Sequence, residues 1–227
     1  MSNNDSILKK AMRSKVVSVI LAIIYALFIL TFSIGLPLYI RPFYYAHIKP
    51  LGLENVSGKS YSEIVGAYNE LLDYCVFGKP FGMGSFRYSE EGYSHFADCK
   101  VLFDLSGTVL IITSVLLIAC LVIRLGTKEE FATLKGYTPS YWGSVVLLCA
   151  IAVVGVWGIA DFDSLFVAFH TVFFPGKTNW YFNPYTDEII KVMPWEFFRN
   201  CAIFIAVGVI ALTTAFITNG VKRKKRG

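Results

Sequence analysis

The sequence predicts an all-α polytopic membrane protein, with four transmembrane helices and an extracytoplasmic cap of short amphipathic helices that has room for a small β element. Three observations carry this. Of 227 residues, 55% are hydrophobic and only 16% are charged, against roughly 25% charged in an average soluble domain. Aromatic residues at 16% and a mean hydropathy of +0.56 exclude a disordered chain, and five cysteines are too few for a disulfide-stapled miniature fold. Four uncharged runs are each long enough to cross a bilayer core of about 30 Å, which takes about 20 apolar residues.

In chain order, residues 1–15 form a basic tail carrying Lys9, Lys10, Arg13 and Lys15, and residues 16–40 form the first span. That run is too long for a signal-peptide core and lacks a small-residue cleavage site, so it reads as a helix. Residues 41–104 form a long segment opening Arg41-Pro42-Phe43-Tyr44-Tyr45, where the proline ends the helix and the aromatics suit the headgroup layer. Ser60 and Glu63 have capping-box spacing, and Ile64, Tyr68, Leu71, Leu72 and Cys75 repeat at helical period, predicting a helix over about residues 61–77. Gly78, Pro80, Gly82 and Gly84 then make a turn-rich loop, the place for a short hairpin ending near Tyr88. Ser89 caps a helix that begins with Glu90 and Glu91 and runs through His95, Asp98 and Lys100 into the second span, residues 105–123.

Residues 124–141 form a short loop, and residues 142–160 the third span. In the segment 161–199, an Asp caps a helix over residues 165–174 whose Leu165, Phe166, Phe169, Val172 and Phe173 give it an apolar surface suited to the interface. His170 rides on it, and Pro175 and Gly176 stop it. Pro194 occupies the first turn of the last helix, whose span is residues 200–221, before the basic tail 222–227.

Basic residues orient the chain. The two tails and the loop 124–135 hold twelve Lys and Arg in 33 residues, whereas the two long segments hold nine in 103, alongside thirteen carboxylates. Both termini are therefore expected in the cytoplasm and the long segments outside, because short positively charged segments stay inside. The net charge of +5 owes much to the run Lys222 to Arg226, which argues for membrane orientation rather than a nucleic-acid partner. No nucleotide-binding loop is present, so no nucleotide partner is expected.

All three histidines, His47, His95 and His170, fall in the segments expected outside. The plainest reading is an interfacial ring satisfied by a carbonyl or a headgroup. Yet His95 and His170 lie on separate helices at the outer lip, with Asp98 one turn from His95 on the same face, which suits proton transfer. A three-histidine zinc site is the rival, although no HxxxH or HxxEH spacing places two ligands on one helix, so no metal is expected. There is no G-x-S-x-G, and Ser85 and Ser94 have nothing specific around them. Cys75 and Cys99 lie where a disulfide is feasible but sit at apolar helix positions that favour plain burial, and Cys120, Cys149 and Cys201 read as packing residues in the spans.

Taken together, Tyr93-Ser94-His95-Phe96-Ala97-Asp98-Cys99-Lys100, Phe169-His170-Thr171-Val172-Phe173-Phe174 and Ile189-Ile190-Lys191-Val192-Met193-Pro194-Trp195-Glu196-Phe197-Phe198 resemble the lipoprotein intramolecular transacylase (Lit) family of Gram-positive bacteria. The opening Arg41-Pro42-Phe43-Tyr44-Tyr45 fits the same pattern. Cys99 departs from it, an aliphatic residue being usual there. The resemblance implies an acyltransferase of the bacterial cell membrane that turns a diacylated lipoprotein into its lyso form, moving the sn-2 acyl chain to the α-amine of the N-terminal cysteine. It also implies an essential pair of histidines, here His95 and His170. The substrate brings its own nucleophile, so no Ser or Cys nucleophile and no cofactor are expected, only the lipoprotein and membrane lipid as partners. Asp98, Lys100 and Arg41 are candidates to orient a ring, stabilise an oxyanion or meet lipid polar groups, and Phe166, Phe169 and Phe173 to form an acyl-chain wall. The rival classes are a non-catalytic lipid- or lipoprotein-binding scaffold and an intramembrane zinc hydrolase.

Overall fold

Ser60 shows how local chemistry sets the helix boundaries. Its hydroxyl accepts from the Glu63 amide while the Glu63 carboxylate accepts from the Ser60 amide, the reciprocal capping box that starts a helix over Tyr61–Phe77. Gly78 ends that helix in the left-handed region, at φ 64°, where a side chain would be strained. The chain is described over residues 3–225 by a computed structural model. In order it forms α1 (Asn3–Met12), α2 (Lys15–Tyr39), α3 (Pro42–Ile48), α4 (Leu53–Ser57), α5 (Tyr61–Phe77), α6 (Glu90–Thr127), α7 (Pro139–Ala160), α8 (Phe162–Phe173), a 3₁₀ turn at Glu188–Lys191, and α9 (Trp195–Lys224). Helices α2, α6, α7 and α9 are long and apolar enough to cross a membrane. The uncharged run of α6 begins at Leu105, and the part before it, residues 90–104, carries five charged side chains and stands outside that run.

The fold is all-helical, and the hairpin expected before Tyr88 is absent: no strand occurs among the described residues. A hairpin must satisfy its backbone by cross-strand pairing, whereas side chains do that work here. The Gly84 amide donates to Glu70, the Arg87 amide to Glu188, and the Ser89 amide to Asp187. With those donors taken by carboxylates, residues 78–89 hold an irregular path. Residues 3–12, read from sequence only as a basic tail, contain helix α1.

The chain divides into two compact units. One comprises the chain up to Ser33, Gly107–Gly155, and the chain from Ala206 onward. Ile29, Leu147 and Val209 form its buried centre. Gly143 on α7 lies so close to the Ala22 carbonyl on α2 that a Cβ would collide with backbone.

The other unit, Ile34–Ser106 with Val156–Ile205, holds the larger core and every candidate site residue. Tyr44 and Tyr68 stack at 3.7 Å between ring centres in its middle, and the buried Tyr44 hydroxyl donates to the Val192 carbonyl at 2.9 Å. Asp187, buried beside the 3₁₀ turn, accepts from both the amide and the hydroxyl of Ser89, while the Ser89 hydroxyl accepts from the Gly92 amide. The start of α6 is thus capped twice, by its own serine and by a carboxylate nearly a hundred residues away. Gly92 makes room for this, since a Cβ there would run into the Asp187 carboxylate. This latch settles where His95, one turn further along α6, is held.

Candidate functional site: a buried histidine pair

His95 comes from the charged start of α6, ahead of its uncharged run, and His170 from α8, whose first turn is capped by Asp161 accepting from the Ser164 amide at 2.9 Å. The two imidazoles lie 5.7 Å apart between centroids and are 5% and 6% exposed. Aromatic rings enclose them. Phe174 and Phe182 present edges to His95 at 5.0 and 5.4 Å, Phe166 lies 4.2 Å from His170, and Trp180 stacks on His170 at 4.5 Å.

Each ring has one nitrogen engaged. The Nδ1 of His170 is 2.8 Å from the Phe166 carbonyl one turn earlier, and because a carbonyl only accepts, that nitrogen carries the proton and Nε2 keeps its lone pair. His95 Nε2 is 3.4 Å from Cys99 Sγ, whereas His95 Nδ1 is buried with no hydrogen-bond partner among the described residues. Burial pushes His95 down to about 4, helped by the neighbouring His170 and Lys177 and opposed by Asp98. Burial likewise lowers His170, against the bond to Phe166 that works to raise it. Both rings are therefore neutral at pH 7, in the form able to exchange protons.

The pKa of His95 sets a pH dependence of stability. As pH falls below the ordinary 6.5, the unfolded chain takes up a proton that the folded His95 refuses until about 4. Stability is then full above 6.5 and declines across that window, by on the order of 3 kcal/mol for this residue. Thermal unfolding of detergent-solubilised protein from pH 7 to 4 should show His95→Gln losing less stability than wild type. Parallel curves for the two proteins would contradict the burial argument.

The other sequence-derived candidates are placed differently. Asp98 does not hydrogen-bond His95. Its carboxylate accepts from Lys177 in a short ion pair and from Asn179 at 3.0 Å, and Asn179 also reaches Ser94 at 3.3 Å. Burial works to raise Asp98, but the bonds from Lys177 and Asn179 prevail and hold its carboxyl below the usual range. Asp98 thereby pins the segment from Lys177, whose carbonyl accepts from the Trp180 indole, so that Trp180 lies against His170. Arg41 is engaged by Asp73 and Asn69, and Lys100 by Asp104 on its own helix at 2.6 Å. His47 has both nitrogens occupied, Nδ1 by the Phe43 carbonyl at 2.7 Å and Nε2 by the Asn200 amide at 3.0 Å. Phe166 packs inward on His170, while Phe169 and Phe173, 4.7 Å apart, are about half exposed.

Sequence reasoning missed three contributors: Lys177 and Asn179, which bind Asp98, and Trp180. Nothing local signals Lys177 and Asn179, whose partner Asp98 is about eighty residues away, and Trp180 meets His170 from a loop, outside any helical repeat. The Cys99 contact did have a signal, its spacing of four from His95 on a helix. Cys75 and Cys99 are both free thiols. No group of three His, Cys, Asp or Glu able to hold a metal occurs among the described residues.

Fold and site together define a class, the polytopic helical membrane proteins that bury a histidine pair in an aromatic enclosure. Residues 19–198 match the family Lipoprotein intramolecular transacylase Lit. The chain belongs to this family and is an acyltransferase, a membrane-integral transacylase. Among solved structures, the membrane-integral lipoprotein intramolecular transacylase Lit from Bacillus cereus superposes with a TM-score of 0.79 at 20% identity, over 100% of both chains. A histidine-to-arginine variant of that protein superposes at 0.68 and 22% identity over 98% of this chain and 94% of that one. Its histidine-to-alanine counterpart gives 0.69 and 22% over 98% and 96%. No curated protein matches the chain.

Proposed function

We propose that the chain moves the sn-2 acyl chain of a diacylglyceryl lipoprotein onto the α-amine of its N-terminal cysteine, using His95 and His170 as the acid/base pair. The observation that carries this reading is the pair itself: two buried neutral imidazoles from different helices, 5.7 Å apart, each with one nitrogen not bonded to the protein. The amine attacks the ester carbonyl through a ring of about eight atoms running through N, Cα, Cβ, S, two glycerol carbons, the ester oxygen and the carbonyl carbon. An N–C bond forms and the C–O bond breaks. The amine must lose a proton, the glycerol oxygen must gain one, and the oxyanion between these steps must be stabilised.

A neutral histidine suits the first two demands near pH 7. The aromatic enclosure supports the third by excluding water, which strengthens each hydrogen bond made within it. In this reading both termini are cytoplasmic and the pair lies at the outer face, where a diacylated lipopeptide holds its acyl chains in the leaflet and its amine near the headgroups. Phe166, Phe169 and Phe173 then form the wall along which an acyl chain lies. Asp98 acts by holding Lys177, Asn179 and Trp180 in place, and Arg41 and Lys100 shape the surroundings through their own ion pairs.

The test is the mass of a synthetic diacylated lipopeptide incubated with purified protein, with and without a strong chelator. Transacylation leaves the mass unchanged while fragment spectra place the acyl group on nitrogen, and chelation should not alter this. A lowered mass would indicate hydrolysis, and its loss on chelation would favour a zinc hydrolase. An untouched substrate would favour a binding scaffold.

A further inference from the structure

The Cys99 thiol and the His95 ring sit one helical turn apart with Sγ 3.4 Å from Nε2. Either atom can be written as the donor, but the two choices are not equal. An imidazole lone pair is a strong acceptor, whereas a thiol sulfur accepts weakly and has one hydrogen to give. The favoured arrangement is S–H donating to Nε2, which puts the ring's own proton on Nδ1. Burial pushes the thiol well above its ordinary range, so the hydrogen stays on sulfur. The second observation is independent of the cysteine. His95 Nδ1 is buried and unpartnered on a ring only 5% exposed, and a buried donor left unpaired is costly unless a ligand atom satisfies it.

We propose that Cys99 is a positioning residue that holds His95 as the Nδ1–H tautomer, so that the pair presents one fixed N–H donor and one lone pair to the lipoprotein ester. The donor is His95 Nδ1–H and the lone pair is His170 Nε2, whose opposite nitrogen is tied to the Phe166 carbonyl. This rests on the transacylase reading and refines its acid/base pair: His170 alone moves the proton, and His95 acts as a fixed hydrogen-bond donor.

The division of labour follows from proton balance. His170 Nε2 accepts the proton that the α-amine loses as the N–C bond forms, and becomes imidazolium. It returns that proton to the glycerol oxygen as the C–O bond breaks, and ends neutral. His95 transfers no proton, because giving up Nδ1–H from a neutral ring would leave an imidazolate. It hydrogen-bonds the carbonyl oxygen, most strongly when that oxygen carries the negative charge of the tetrahedral intermediate. A ring that resists protonation suits this role, since it remains a neutral donor throughout.

The experiment is nitrogen NMR on detergent-solubilised protein labelled with ¹⁵N-histidine, His95 being assigned by its loss in His95→Ala, alongside lipopeptide kinetics. Wild-type protein near pH 7 should show His95 protonated on Nδ1. In Cys99→Ala the ring should become a mixture of tautomers, with kcat lowered about three- to tenfold, the worth of one modest hydrogen bond, and KM unchanged. Cys99→Ser, which keeps a donor, should recover most of both. A wild-type His95 protonated on Nε2, or Cys99→Ala leaving tautomer and kcat unchanged, overturns the proposal. Full activity of His95→Ala would instead overturn the transacylase reading of the pair, and the NMR result would still decide the tautomer.

Discussion

His95→Ala and His170→Ala should each abolish acyl transfer, with kcat falling by at least about a hundredfold and as much as ten-thousandfold, the range expected for removing a group that moves a proton or stabilises the oxyanion in the transition state. The two losses should not add. A unit of two rings that work on one ester is disabled by removing either, so the double variant should be little slower than the worse single one. Truncating a buried ring also leaves a cavity, which makes the isosteric check necessary. His170→Gln keeps bulk and a polar tip but lacks a titratable lone pair, and should be as inactive as the alanine variant while unfolding close to the wild-type temperature. Activity per mole of folded protein, measured by transfer of the acyl group to nitrogen, decides the matter. Near wild-type turnover from either alanine variant would remove that histidine from the chemistry.

Much of the scaffold that presents these rings is legible in sequence, because its causes are local. Ser60 with Glu63 starts α5, Gly78 ends it, Asp161 starts α8, and Pro42 separates α3 from α2. Each is a contact or a conformational preference spanning a few residues. The spacing of uncharged runs likewise anticipates the four long helices. The environment of the site is far less legible, because it is assembled by contacts between distant residues. Asp98, a turn from His95, invites the reading that it orients the ring. In the folded chain its carboxylate is claimed by Lys177 and Asn179, about eighty residues away, and Cys99 reaches the ring instead.

The same limit explains the loop before α6. Its Gly and Pro spacing is compatible with a hairpin, and only the arrival of Glu188 and Asp187 from the far segment shows why its amides need no strand partner. Arg41 is a further case. A cation beside an interfacial aromatic stretch looks free to meet a ligand, but Asp73 and Asn69 on α5 occupy it.

A charge on the exposed face of α8 should impair catalysis strongly. Phe169 is 46% exposed, its ring 4.7 Å from Phe173 and 5.4 Å from His170, and Val172 and Phe173 extend the same apolar surface. In the proposed arrangement this surface meets the acyl chains of the lipopeptide. Phe169→Asp acts there twice. A charge facing hydrocarbon costs up to about 3 kcal/mol, less near the interface, and the helix can lower that cost by rotating away, which carries His170 with it. A carboxylate next to His170 also favours the imidazolium, raising its pKa, and a ring already protonated at pH 7 has no lone pair for the amine proton. Together these should lower kcat/KM by about ten- to a hundredfold at matched levels of folded protein, since each factor of ten corresponds to roughly 1.4 kcal/mol. Phe169→Asn separates the two effects. It keeps the polarity and removes the charge, so it should retain more activity than Phe169→Asp, and raising the pH should recover part of the loss only in the aspartate variant. Phe131→Asp, in a loop of the other unit, is the control and should stay close to wild type. If Phe169→Asp and Phe131→Asp are equally and nearly fully active, α8 does not line the path of the substrate.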